Sequence, residues 1–122
     1  MTLASLATAL AGIGAAVMAV LALLFWRDPA QAMRLTTHRA EALPQVMVDR
    51  YAAFGVLAVG AALSGDPVVI AWLFSAFALM GFADAWIYAR AGYAFAKHLA
   101  AGVAALVVVA VALAGRAGEG NL

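Results

Sequence analysis

A chain of 122 residues that is 68% hydrophobic and only 11% charged is not a water-soluble domain. Soluble domains run about 45–50% apolar and about 25% charged. The mean hydropathy of +1.04 places the chain among integral membrane proteins. The net charge of +1 gives no electrostatic case for nucleic acid, and no basic face is visible. With no cysteine there is no disulfide, thiolate nucleophile or iron–sulfur ligation.

Thr2 to Trp26 is one uncharged run, rich in Ala, Leu and Val and free of proline. It exceeds the roughly 20 residues that a membrane-spanning helix needs. No basic side chain precedes it, so it reads as a retained helix over residues 3–26 and not as a cleaved signal. Residues 27–44 form a polar loop holding Arg27, Asp28, Arg34, His38, Arg39 and Glu41. Asp28 followed by Pro29 is the start signal of a short helix, with Asp28 as its cap. Ala32, Met33, Leu35 and Ala40 are placed to rest on the membrane surface.

The stretch Tyr51–Gly65 is too short to cross alone. The second span therefore begins earlier and covers residues 45–64, with Asp49 and Arg50 in its first turns. Ser64-Gly65-Asp66-Pro67 combines a helix stop with a helix start. The third span covers residues 67–90 and is apolar except for Asp84. Ala91-Gly92 breaks it. The fourth span covers residues 93–115 and carries Lys97 and His98 in its opening turns. The Gly-rich tail from Arg116 to Leu122 reads as frayed.

These elements predict a single all-α domain over residues 1–122, a four-helix transmembrane bundle. The first and third connections hold Arg27, Arg34, Arg39, Arg50, Arg90 and Lys97, and the opposite side holds only Arg116. By the positive-inside bias these connections are cytoplasmic and both termini lie on the non-cytoplasmic side. The expected location is a bacterial inner membrane, crossed several times. Small residues suit close helix packing in lipid. They recur at Ala7, Ala11, Ala15 and Ala19, at Gly60-x-x-x-Ser64, and at Ala101-x-x-x-Ala105 with Gly102.

Asp84 is the most informative residue. It lies about 9 Å along the helix from Arg90. An ionised Asp at the bilayer centre costs about 2.5–3.5 kcal/mol, less near the interface. Either its carboxyl is protonated or a cation offsets that cost. Arg50 and His98 are the candidate partners, from the second and fourth spans. Tyr88, four residues on, shares the Asp84 face, as does Gly81. Arg50, Asp84, His98 and Tyr88 therefore form the candidate polar site. Trp26, Trp72, Trp86, Tyr88 and Tyr93 suit interfacial anchoring. With His38, His98 and a few carboxylates the chain offers no metal signature, and no cofactor is expected.

Taken together, Asp49-Arg50-Tyr51, Gly55, Gly65-Asp66, Asp84, Gly92 and His98 make a pattern. It resembles a family of small four-helix membrane proteins called domain of unknown function 4267. The resemblance covers most of the chain. It implies the four-helix architecture and the choice of Arg50, Asp84 and His98, and it implies no reaction. A fainter likeness to DoxX-like membrane proteins rests on architecture alone.

Two functions fit. The first is a pocket, catalytic or not, for a small apolar ligand or lipid in the cytoplasmic half of the bundle. Asp84 and His98 would carry protons there, and Arg50 would anchor an oxyanion or headgroup. The second is a non-enzymatic accessory or scaffold subunit, its polar residues fixing helix register. Its expected partners are the lipid bilayer, a second copy of the chain or another membrane protein.

Overall fold

The computed structural model describes residues 1–120. Among them there are only helices and connections: α1 (Leu3–Arg27), α2 (Pro29–Leu35), a short 3-10 turn (Ala40–Ala42), α3 (Leu43–Ser64), α4 (Pro67–Arg90) and α5 (Ala96–Gly120). Four helical stretches, Leu3–Arg27, Ala40–Ser64, Pro67–Arg90 and Ala96–Gly118, are long and apolar enough to cross a membrane. The chain is thus a multi-pass integral membrane protein. Packing divides it into two compact units, Met1–Val48 and Asp49–Leu122.

In the first unit Asp28 ends one helix and starts the next. Its N–H donates to the Leu24 carbonyl at 2.8 Å. Its carboxylate accepts from the Gln31 N–H at 3.0 Å. Pro29 then stands in the first turn, where its missing N–H costs nothing. The expected short helix forms here, but Ala32 is fully buried and does not rest on the surface. Its carbonyl accepts from both the N–H and the hydroxyl of Thr36, at 3.0 and 2.7 Å. α2 ends on Thr37 at φ 58°. A β-branched residue is strained in that left-handed region. The bonds from His38 N–H to Met33 (3.0 Å) and from Thr37 N–H to Arg34 (3.2 Å) hold it there.

In the second unit the Ser64 hydroxyl turns back onto its own helix and donates to the Ala61 carbonyl at 2.6 Å. Gly65 stops α3 at φ 63°, and Asp66 caps α4 by accepting from Val68 N–H at 2.8 Å. Phe54 of α3 packs on Phe77 of α4 at 5.6 Å between ring centroids, and Phe77 meets Phe74 edge-on at 5.2 Å.

α4 and α5 form an antiparallel hairpin. Its turn is built on Gly92 at φ 78°. Gly92 N–H donates to the Ala89 carbonyl at 3.2 Å, and Tyr93 N–H donates to the Tyr88 carbonyl at 2.9 Å. This pair of bonds is a glycine-dependent helix end. It leaves Tyr93–Phe95 to cross between the helices, so α5 begins at Ala96, three residues later than expected. α5 then continues to Gly120, through residues expected to fray; Asn121 and Leu122 lie outside the described residues.

The hairpin seam is lined by small residues. Ala71, Ala78, Gly81 and Ala85 are buried on α4, and Gly102 and Ala105 on α5. The contact is closest where Gly81 meets Gly102. A Cβ placed on Gly81 would lie 2.6 Å from the Gly102 backbone N, 2.7 Å from its Cα and 3.0 Å from the His98 carbonyl. A Cβ on Gly102 would meet the Phe82 ring at 3.0 Å. In lipid, such backbone-to-backbone approach supplies the dispersion contact that holds helices together. The expected small-residue stripes behave otherwise. Ala7, Ala11, Ala15 and Ala19 are exposed, as are Gly60 and Ser64, and within the Ala101–Ala105 pair only Ala105 is buried.

Gly81→Ala is expected to lower stability by about 1–3 kcal/mol, because an added methyl must push the two backbones apart. Gly55→Ala, which meets nothing within 4 Å, is expected to gain up to about 1 kcal/mol from helix propensity. Thr37→Gly is expected to stabilise by relieving the left-handed strain, again by up to about 1 kcal/mol. Thermal or denaturant melts in one mild detergent check the three signs together.

Candidate functional site

The Gly81–Gly102 crossing positions the polar residues. Antiparallel helices that touch there must bring residues just after Gly81 opposite residues just before Gly102. Asp84 and Tyr88 lie three and seven residues after Gly81. His98 lies four residues before Gly102. With about 1.5 Å of rise per residue, all three fall within one or two turns of the crossing, on its hairpin-turn side.

The side chains meet accordingly. His98 Nδ1 stands 3.7 Å from Asp84 Oδ2. That is an ion pair when the imidazole is protonated, but it exceeds hydrogen-bond length. The His98 ring lies flat on Tyr88, with centroids 4.7 Å apart and planes 11° from parallel. Tyr93, held by its own N–H bond to Tyr88, meets the Tyr88 ring at 6.2 Å. The site is thus a row, Tyr93–Tyr88–His98–Asp84, running from the turn into the span.

None of the row is sealed from its surroundings. The His98 and Asp84 side chains are 37% and 50% exposed. Asp84 therefore keeps open acceptor positions on a carboxylate that the imidazole does not hydrogen-bond. A donor approaching from outside the hairpin can reach them.

Arg50 does not complete the site. It is exposed on α3, and among the described residues it makes no ion pair with Asp84 or with any other carboxylate. The choice between Arg50 and His98 as the neighbour of Asp84 falls to His98. The reason is the hairpin: α5 touches α4 backbone to backbone, whereas α3 meets α4 through large aromatic rings that keep the two axes apart. Lys97, beside His98 in the first turn of α5, is also exposed.

Asp84 and His98 are two potential metal donors. Among the described residues no third His, Asp or Glu converges with them. The arrangement can accept a hydrogen bond at Asp84, exchange a proton at His98 and present an aromatic face at Tyr88. One contact was hidden in the sequence: Arg90 lies over the Trp86 ring, 5.5 Å from its centroid. The four-residue spacing of these two was its only signal.

Comparison with protein-family models, curated proteins and solved structures gives no match. The chemistry of this site therefore rests on its own geometry.

The crossing is made by glycines, so on this geometry α4 and α5 can pack without the polar pair. Asp84→Asn and His98→Gln are each expected to cost under about 1 kcal/mol, the range of a half-exposed ion pair. Both should shift the melting temperature less than Gly81→Ala does in the same detergent.

Proposed function

We propose that this protein binds a small, largely apolar molecule or lipid at the Asp84–His98–Tyr88 row, through a hydrogen-bonding group on that molecule. The observation that carries this reading is the state of Asp84. An intramembrane carboxylate is expensive to keep. Here it is half exposed, and its neighbour His98 stands beyond hydrogen-bond distance. Its acceptor capacity is left for something else. A purely structural carboxylate would be expected to be spent inside the protein.

In the same reading the four apolar helices form one bundle related to the small membrane family that the sequence resembles. The row lies in its cytoplasmic half, and both termini lie on the other side. The positive-inside count supports this, with Arg27 and Arg90 in the last turns of α1 and α4 and Lys97 in the first turn of α5. An all-helical architecture suits a bacterial inner membrane, since outer-membrane spans are β-barrels.

The alternative is an accessory or scaffold subunit. It is favoured by one observation: His98 of α5 already meets both Asp84 and Tyr88 of α4. In that case the row ties α4 to α5 and takes no ligand.

Native mass spectrometry of wild type and Asp84→Asn, released from mild detergent, separates the two. Binding predicts a discrete adduct on wild type that is absent from a folded Asp84→Asn with little change in melting. The scaffold reading predicts bare wild-type protein and a destabilised variant. The native chain has no cysteine, so orientation is tested with single-cysteine variants and a membrane-impermeant maleimide on intact cells. Thr2→Cys and Gly118→Cys are expected to label, and His38→Cys to be protected. The reverse pattern would invert the topology.

A further inference from the structure

A second site lies on the other side of α4. Trp86, Ile87, Arg90 and Ala91 line an open hollow at the turn end of this helix. At about 100° per residue Ile87 and Arg90 fall about 150° from the face that Ala78, Gly81 and Ala85 turn to α5, with Trp86 and Ala91 on its flanks. The hollow shares no residue with the Asp84–His98–Tyr88 row.

Arg90 is the polar wall. Two roles that would normally occupy a terminal arginine are already filled. It is not needed to cap the helix, because the carbonyls of Ile87, Tyr88 and Ala89 accept from the N–H groups of Ala91, Tyr93 and Gly92. Nor does it neutralise an acid. Among the described residues it makes no ion pair, and Asp84, the nearest carboxylate in sequence, stands beside His98. Its guanidinium instead rests over the Trp86 indole. A cation over a ring face still has N–H donors free to meet an anion.

The remaining wall is apolar. Trp86 lies one turn deeper than Arg90, about 6 Å into the span, and Ile87 stands beside it. A free inorganic anion has no use for that surface. An amphipathic anion does: its charge meets Arg90 at headgroup level and its first methylenes meet Trp86 and Ile87. Lys97, exposed at the same end of the hairpin, adds positive potential. We propose that this hollow is a binding site for the phosphate and proximal acyl chain of an anionic phospholipid.

The test uses the full-length protein in mild detergent, titrated separately with phosphatidylglycerol, phosphatidylcholine and inorganic phosphate, and read by native mass spectrometry. Wild type is expected to retain a first phosphatidylglycerol more tightly than phosphatidylcholine. Arg90→Gln should weaken that first binding about five-fold, the loss of one basic contact to an anionic headgroup. Trp86→Leu should weaken it too, while Arg116→Gln, at the other end of α5, should not. The melting temperature of each variant confirms folding, and Arg90→Lys, which keeps the charge but not the planar fork of donors, should fall between wild type and Arg90→Gln. Equal retention of phosphatidylglycerol by wild type and Arg90→Gln overturns the proposal. So does equal retention of the two lipids by wild type. Displacement of the lipid by low-millimolar phosphate would overturn it as well and reassign the hollow to small anions. None of these outcomes bears on Asp84→Asn, so this site and the row on the α5 side stand or fall separately.

Discussion

The contact between Gly81 and Gly102 organises the second half of this protein. Lipid offers apolar helices no hydrophobic reason to associate, so packing must come from close atomic contact. Two facing glycines let the backbones of α4 and α5 approach until a single added methyl would collide with main-chain atoms. Every other feature of the hairpin follows from that register. It determines which turn of α4 lies opposite which turn of α5, and so places Asp84 and Tyr88 beside His98.

This division of labour has a functional consequence. Where polar residues hold membrane helices together, their hydrogen-bonding capacity is consumed by the fold. Here small residues carry the association, and the ionisable pair stays half exposed at more than hydrogen-bond distance. The turn at Gly92 acts in the same way on the opposite face. By satisfying the last carbonyls of α4 with backbone N–H groups it leaves Arg90 available, over the Trp86 ring. One helix thus presents an acid toward its neighbour and a base away from it. The two share no residue.

The elements of the chain were legible because the signals are local. Asp28-Pro29 and Asp66-Pro67 marked helix starts, and in each case the carboxylate accepts a backbone N–H in the first turn. Gly65 and Gly92 marked stops and take positive φ. Boundaries were less legible where the cause is not local. The late start of α5 reflects the distance that Tyr93–Phe95 must cover between two packed helices. Thr37 gave no warning at all, because composition alone does not reveal a β-branched residue held in a left-handed turn by two backbone bonds. The burial of Ala32 had no pattern either, since a seven-residue helix is too short to show one.

By itself the sequence determined that this protein crosses a membrane several times as helices, and that Asp84 is its costly residue. Both are consequences of transfer energetics, which sum residue by residue along the chain. Only tertiary structure decided that His98, and not Arg50, stands next to Asp84, that Tyr88 stacks on that imidazole, and that Ala7–Ala19 is not a buried stripe while Gly102 and Ala105 are buried. Those outcomes depend on which helices approach and at what register. Many small residues permit close approach, so spacing leaves several solutions open. The choice among them is made by atoms that meet across the helix seam, in this case the backbones at Gly81 and Gly102.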